Sequence, residues 1–324
     1  MQVCKYFPVA SDRMGIIWAL SSIEGICVLE FGPSGTTHYA VEAIGSLNGS
    51  DRAKIYSTHM DESDITFGKY DKLEKAILEI DENINPKYIF VMASSVSSII
   101  GADIYSVCDL VSHKISAKLI PLDIGGLKGD YNLGVESILY TLAKEVVCDF
   151  EKDNNKYNII GFNIDKYNFD SDVNELKRMM KEYFNKELNT VFTFDNSASE
   201  IEKASIASIN IVVRKEGLKC AKFLKDKYNI PYIYKNLYGI DNIDEFIKEV
   251  SKIDGFNLNE TIYEQEKSEV KSRLFRLKMK LRSIKNKKCA VIGDFDTVIG
   301  ISSMLNSFGF EVCRKEVLYK EKSD

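Results

Sequence analysis

The stretch Pro86–Asp103, PKYIFVMASSVSSIIGAD, decides how this chain folds. Pro86 stops any helix arriving from upstream. The five apolar residues Tyr88–Met92 (YIFVM) then read as a buried strand. A helix is expected over Ser97–Val111. On the upstream side, Asp71–Asp81 (DKLEKAILEID) spaces its apolar residues along one helical face. Before it, Ile26–Phe31 (ICVLEF) is another short buried strand, closing on the turn Gly32-Pro33-Ser34-Gly35. On the downstream side come the strand Lys118–Leu122 (KLIPL), the glycine-rich loop Gly125–Gly129 and a long helix over Tyr131–Val147. Strand, helix, strand in this order predicts a parallel sheet with crossover helices.

The pattern then repeats. Asp149–Lys156 (DFEKDNNK) is polar and charged without apolar periodicity and reads as a linker. Tyr157–Phe162 (YNIIGF) opens a second unit. Helices are expected over Asp172–Phe184, Ser199–Ser208 and Gly217–Tyr228, with strands at Thr190–Phe194, Ile209–Val213 and Pro231–Tyr234. Tyr263–Lys287 is highly charged, with Val270, Leu274, Leu277 and Leu281 three or four apart, and is expected to be a long amphipathic helix. Its basic character would suit a nucleic-acid surface. The acidic residues mixed into it and its few aromatics favour a solvated face. Cys289–Gly293 (CAVIG), a helix through Phe308 and Phe310–Val312 open a third unit that reads as truncated, because a parallel sheet normally needs more strands to cover both faces. The expected fold class is α/β: two Rossmann-like parallel-sheet domains, residues 1–148 and 149–262, plus a partial third unit, 263–324.

Composition narrows the function. At 324 residues, 45% of them hydrophobic and 28% charged, the chain can bury more than one core. A formal net charge of -5 leans against nucleic acid as a partner. No apolar run approaches the ~20 residues of a membrane span, and the N-terminus lacks the pattern of a signal peptide. A cytoplasmic protein without membrane contact is expected. The seven cysteines are irregularly spaced, with no CxxC pair, which points to reduced thiols. Cys27, Cys289 and Cys313 lie in strand-like apolar runs and read as small buried hydrophobes. The dinucleotide and Walker fingerprints are absent, as are HExxH and GxSxG. Gly125–Gly129 has the wrong spacing for a phosphate cradle and reads as a strand-to-helix turn. His38, His59 and His113 lie far apart and read as structural.

Several segments are specific in combination: Gly15–Gly35 (GIIWALSSIEGICVLEFGPSG), Ser57–Leu73, Pro86–Asp103, Pro121–Gly134 (PLDIGGLKGDYNLG), Tyr157–Phe162, Ala221–Ile233 (AKFLKDKYNIPYI) and Ala290–Gly300 (AVIGDFDTVIG). In order and spacing this series resembles the nitrogenase component 1 family from about Ser11 to Val312. That family includes the large nitrogenase subunits, their cofactor-assembly scaffolds, the dark-operative protochlorophyllide and chlorin reductases and the reductive cyclase of nickel-tetrapyrrole synthesis. The resemblance implies an iron–sulfur cluster held by cysteines between two homologous subunits. The three cysteine positions correspond here to Ser11, Thr36 and Ser95, with Gly32 and Gly35 in the adjoining turn. All three are hydroxyl residues, and iron in a sulfide cage favours a soft, anionic thiolate. The resemblance therefore implies no metal and no cofactor on this chain alone, with an iron–sulfur cluster on the partner subunit. Cys4 and Cys108 are the nearby thiols that would compensate. The position of the family's cofactor cysteine falls near Val213, an aliphatic residue, and the cofactor's histidine ligand belongs to a later part of the third domain than this sequence reaches.

Two functions stay open. In the first, the chain is a component 1 oxidoreductase subunit, not active alone, that transfers electrons as a dimer with a cluster-bearing homologous subunit or with itself. An ATP-dependent iron protein would be the reductase. In the alternative, it is a cluster-free binding or assembly protein for a tetrapyrrole, a metal cofactor precursor or a protein partner. Neither reading names a catalytic residue.

Overall fold

The structure, a computed structural model, describes residues 10–46, 52–284 and 286–318. Its first sheet has four parallel strands in the spatial order Lys54–Ser57, Ile26–Phe31, Tyr88–Ala93, Lys118–Leu122. The second sheet has the same connectivity, with strands in the order Glu187–Phe192, Asp153–Ile160, Ala207–Val212, Tyr232–Tyr234, all parallel. In each sheet the chain first winds to one side and then crosses to the other. The resulting switch point lies between Ile26–Phe31 and Tyr88–Ala93 in the first sheet, and between Asp153–Ile160 and Ala207–Val212 in the second. Ligands of open α/β sheets bind beyond the carboxyl ends of the strands at such points. A third unit pairs Lys288–Gly293 with Glu311–Val317 in parallel around the helix Phe295–Ser307. The class is α/β with parallel sheets, as the alternation of the sequence predicts.

The central strands are buried on both faces, which is why they read as continuous apolar runs. One core runs from the first sheet into the second through the helix Tyr131–Glu145, with Val135, Ile138 and Leu142 buried among residues of both. The helix Asp12–Leu20 crosses it almost backbone to backbone. A Cβ on Gly15 would lie 2.3 Å from the Tyr131 carbonyl oxygen, and one on Gly134 would lie 1.9 Å from that of Asp12. A separate core fills the other face of the first sheet and holds Cys27, Leu73, Ile77 and Cys108.

Four expectations change. The linker read over Asp149–Lys156 stops at Lys152, because Asp153–Lys156 already belongs to the strand Asp153–Ile160. The helix over Ser97–Val111 is two helices, Ser95–Ile99 and Ile104–Ser112. Gly101 stands between them at φ +67 and donates its N–H to the Ser98 carbonyl, while Ala102 donates to that of Ser97. These two bonds form a Schellman stop, and Asp103 restarts the chain by accepting the Ser106 N–H at 3.1 Å. The helix over Ser199–Ser208 shrinks to Ala198–Glu202 and a short 3₁₀ turn, because buried Asn158 takes the Ala204 carbonyl at 2.8 Å. Of the three cysteines read as buried, Cys27 is; Cys289 is half-buried and Cys313 exposed, since the two-stranded third sheet does not enclose them. Among the described residues, no helix is long and apolar enough to cross a membrane.

Candidate functional site

Three segments meet at the switch point of the first sheet. Gly32 ends the strand Ile26–Phe31, and a Cβ there would lie 2.3 Å from that of Ser94. Ser94 opens the helix Ser95–Ile99 with a capping box. Its hydroxyl accepts the Ser97 N–H at 3.1 Å, and Ser97 Oγ accepts the Ser94 N–H at 2.7 Å while donating to the Phe31 carbonyl at 2.6 Å. The buried serines of this run are therefore committed to main-chain groups. The Gly125–Gly129 loop closes the third side. Gly126, at φ +100, leaves no room for a Cβ, which would lie 2.7 Å from Ser95 Oγ and 3.3 Å from Arg13 Cβ.

Ion pairs below this surface fix its shape. Glu30, fully buried, accepts both a guanidinium nitrogen of Arg13 and the Thr37 hydroxyl at 2.6 Å. Arg13 and Thr37 belong to the two helices that flank the crevice, so this one carboxylate ties them together. Next to it, Asp12 accepts the N–H groups of Arg13 at 2.9 Å and Lys128 at 3.0 Å, which anchors the glycine loop. Burial raises the Asp12 pKa against those bonds. The sequence reading passed over Arg13 and Glu30. The signal was a single glutamate inside an otherwise apolar strand, which only a buried cation can offset.

The residues singled out from the sequence fall around this crevice. Ser95 faces Gly126 and Arg13, and is half-buried. Ser11 stands at the N-cap position of the helix Asp12–Leu20 without a side-chain capping bond, and forms an antiparallel bridge with Asp130, the residue after the glycine loop. Gly35 and Thr36 stand exposed on the first turn of the helix Ser34–Ser46, where Thr36 donates its hydroxyl to the Pro33 carbonyl at 2.9 Å. Cys108, weighed as a compensating thiol, points into the core on the far face of the sheet, and Cys4 lies outside the described residues. Burial pushes the Cys27 thiol up to about 11 and that of Cys108 up to about 12, both away from the thiolate form a metal needs. Among the described residues, no group of three or more His, Cys, Asp or Glu side chains is placed to hold a metal ion. Three separate hydroxyls, one already donated within its own turn, do not fit an iron–sulfur cluster.

The switch point of the second sheet is filled by charge. Arg214, 1% exposed, is held between Asp165 at 3.0 Å and Glu216 at 3.0 Å. Burial alone would lower its pKa; the two carboxylates reverse this and keep it well above the ordinary value. Val213, the residue before it, leads out of the strand Ala207–Val212 and presents no ligand atom. The third unit is latched on here. Lys166 pairs with Asp294 at 2.7 Å, and Asp296 accepts the Lys215 N–H at 2.8 Å and the Tyr234 hydroxyl at 2.7 Å. Burial opposes the charge on Asp294, but Lys166 and Thr297 overcome it and hold the pKa at about 2. This cluster also went unseen in the sequence, where its members are scattered from 165 to 296.

Comparison with known proteins agrees with this fold. The family model described as Nitrogenase component 1 type Oxidoreductase matches residues 11–322. The chain belongs to this family. As a nitrogenase component 1-type protein it is 30% identical over 248 residues to the nitrogenase iron-molybdenum cofactor biosynthesis protein NifE of Nostoc sp., a match covering 73% of the chain and 50% of that relative. It is 28% identical to NifE of Clostridium pasteurianum, over 87% of the chain and 62% of the relative. The nitrogenase molybdenum-iron protein alpha chain of the same organism is 30% identical over 61% of the chain and 37% of the relative. The chain thus spans from half to 62% of the length of the two NifE relatives. The solved structure titled nitrogenase Cp1 at pH 5 superimposes with a TM-score of 0.77 at 22% identity, over 99% of the chain and 68% of the other, which shows the fold.

Proposed function

We propose that this nitrogenase component 1-type chain is a cytoplasmic subunit that takes part in electron transfer only within a complex. A homologous subunit, or a second copy, docks on the first-domain face. It carries the iron–sulfur cluster, and an ATP-dependent iron protein supplies the electrons. One observation carries this reading. The segments that bear Thr36, Ser95 and the glycine loop also bear exposed apolar side chains: Tyr39 at 58%, Ile99 at 73% and Leu127 at 54%. Single exposed apolar residues are ordinary, but several grouped around one crevice mark an interface. The buried polar groups around the crevice, Asp12, Glu30, Ser94 and Ser97, are already bonded to main-chain groups or to Arg13, so the chain's own part is to bind and to exclude water.

The donor set also favours the second reading, a cluster-free binding or assembly protein for a tetrapyrrole, a metal cofactor precursor or a protein partner. One measurement tests what both readings share, and a second separates them. After anaerobic reconstitution with iron and sulfide, the purified chain is expected to stay colourless. A brown chromophore with stoichiometric iron and sulfide would contradict this and show that thiols elsewhere in the chain supply the ligands. Co-expressed with a cysteine-bearing homologous subunit, the complex is expected to oxidise a reduced iron protein in an ATP-dependent manner. A complex that accepts no electrons yet retains a tetrapyrrole or metal precursor would establish the assembly reading instead.

A further inference from the structure

The helix Glu260–Leu281 has two unlike halves. Its first turns are packed: Tyr263 is buried, Glu266 pairs with Arg178 at 2.7 Å and Lys267 with Asp244 at 2.8 Å. Beyond Glu269 the acidic residues stop. Every charged residue from 271 to 282 is basic: Lys271, Arg273, Arg276, Lys278, Lys280 and Arg282. Among the described residues, only Arg273 of these has a carboxylate partner, Glu269 at 4.0 Å. The same half leaves Val270 and Leu277 exposed on one face and Phe275 and Met279 exposed on the opposite one. The acidic residues that make the whole segment look like a mixed, solvated face are thus confined to its packed half.

Val270, Leu274, Leu277 and Leu281 follow one another at intervals of 4, 3 and 4 residues. That is heptad spacing, which lines up a narrow seam suited to another helix; a lipid surface takes a wider apolar face. Lys271 and Lys278 border the seam on one side, Arg273 and Lys280 on the other, at the positions that select a partner by charge. A second copy would set basic against basic in either orientation. Next to the seam a cavity of about 280 Å³ opens, lined by Val270 and Leu274 with Ile243, Met304 and Phe308.

We propose that this seam and cavity dock an amphipathic helix of a protein partner, one whose apolar stripe is flanked by Asp or Glu and which places a large apolar side chain in the cavity. The surface is separate from the first-domain crevice, so it stands or falls independently of the interface proposed there.

The probe is a fluorescein-labelled three-heptad peptide with Leu at the seam positions and Glu at the flanking ones, titrated with the full chain and followed by anisotropy. Saturable binding that weakens with salt is expected. Lys278→Glu combined with Lys280→Glu should weaken it at least about tenfold, as should Leu277→Asp, with the circular dichroism unchanged because these side chains are exposed. The same peptide with Lys at the flanking positions should not bind. The proposal is overturned if the acidic peptide fails to bind, or if the variants bind it as well as the native chain. It is equally overturned if phosphatidylserine vesicles or a DNA duplex bind this helix in preference to the peptide, or if light scattering shows a second copy seated on it.

Discussion

Gly134→Ala is expected to destabilise the protein by about 3 kcal/mol, although alanine is the better helix former by about 1 kcal/mol. The two effects have opposite signs, so the result is decisive. The new methyl group would lie 1.9 Å from the Asp12 carbonyl oxygen, a main-chain atom that no rotamer change can move. The helices Asp12–Leu20 and Tyr131–Glu145 would have to separate by more than about 1 Å, enough to forfeit much of the dispersion contact across the crossing. Ile16, Leu20, Val135 and Ile138, all buried there, would lose packing together. Asp12 would shift as well, and with it the anchor of the glycine loop on the Lys128 N–H. Urea unfolding followed by circular dichroism measures the change. A midpoint equal to or above that of the native chain would mean that propensity outweighs the close approach, and the packing account would fail.

Arg214→Met is the second large effect. Methionine fills a similar volume, so the loss is one of charge pairing more than of packing. Asp165 and Glu216 would be left partly buried without their cation, and breaking a buried pair from one side costs about 3–5 kcal/mol. For a unit of this size that lowers the melting temperature by on the order of 10 °C. Adding Asp165→Asn and Glu216→Gln removes the stranded charges and should restore most of the loss. If Arg214→Met melts with the native chain, the cluster contributes nothing to holding the second switch point. If the triple variant is no better than the single one, lost packing and not stranded charge is the cause.

What the sequence revealed follows from which interactions are local. The runs ICVLEF, YIFVM and INIVV are apolar because both faces of a parallel sheet are covered, so the strands and the fold class could be read from alternation, while their order within each sheet could not. The break at Gly101 was harder to see, because apolar periodicity continues through it and only the left-handed backbone of one glycine stops the helix. Of the crevice residues, Gly32 was legible in the turn that closes its strand, and the resemblance marked Ser11, Gly35, Thr36 and Ser95. The supports beneath were not legible. Arg13 meets Glu30 across 17 residues and Arg214 meets Asp165 across 49, and no local pattern announces such pairs. The long helix was read as a single solvated face because its composition was averaged over both halves; its basic half is exposed as expected, and the packing of Tyr263, Glu266 and Lys267 sets the other half apart.

Electron transfer within a complex requires the first-domain crevice to be a subunit interface. Light scattering tests this directly, on the chain alone and mixed with a cysteine-bearing homologous subunit, for the native sequence and for Ile99→Asp combined with Leu127→Asp. Both substituted side chains are exposed, so the fold should survive. The predicted result is a dimer of the native chain in at least one of the two conditions, removing on the order of 1,200–2,000 Å² from solvent in total, and a monomer of the variant in both. A native chain that stays monomeric in both, or a dimer that the two aspartates leave intact, would contradict it.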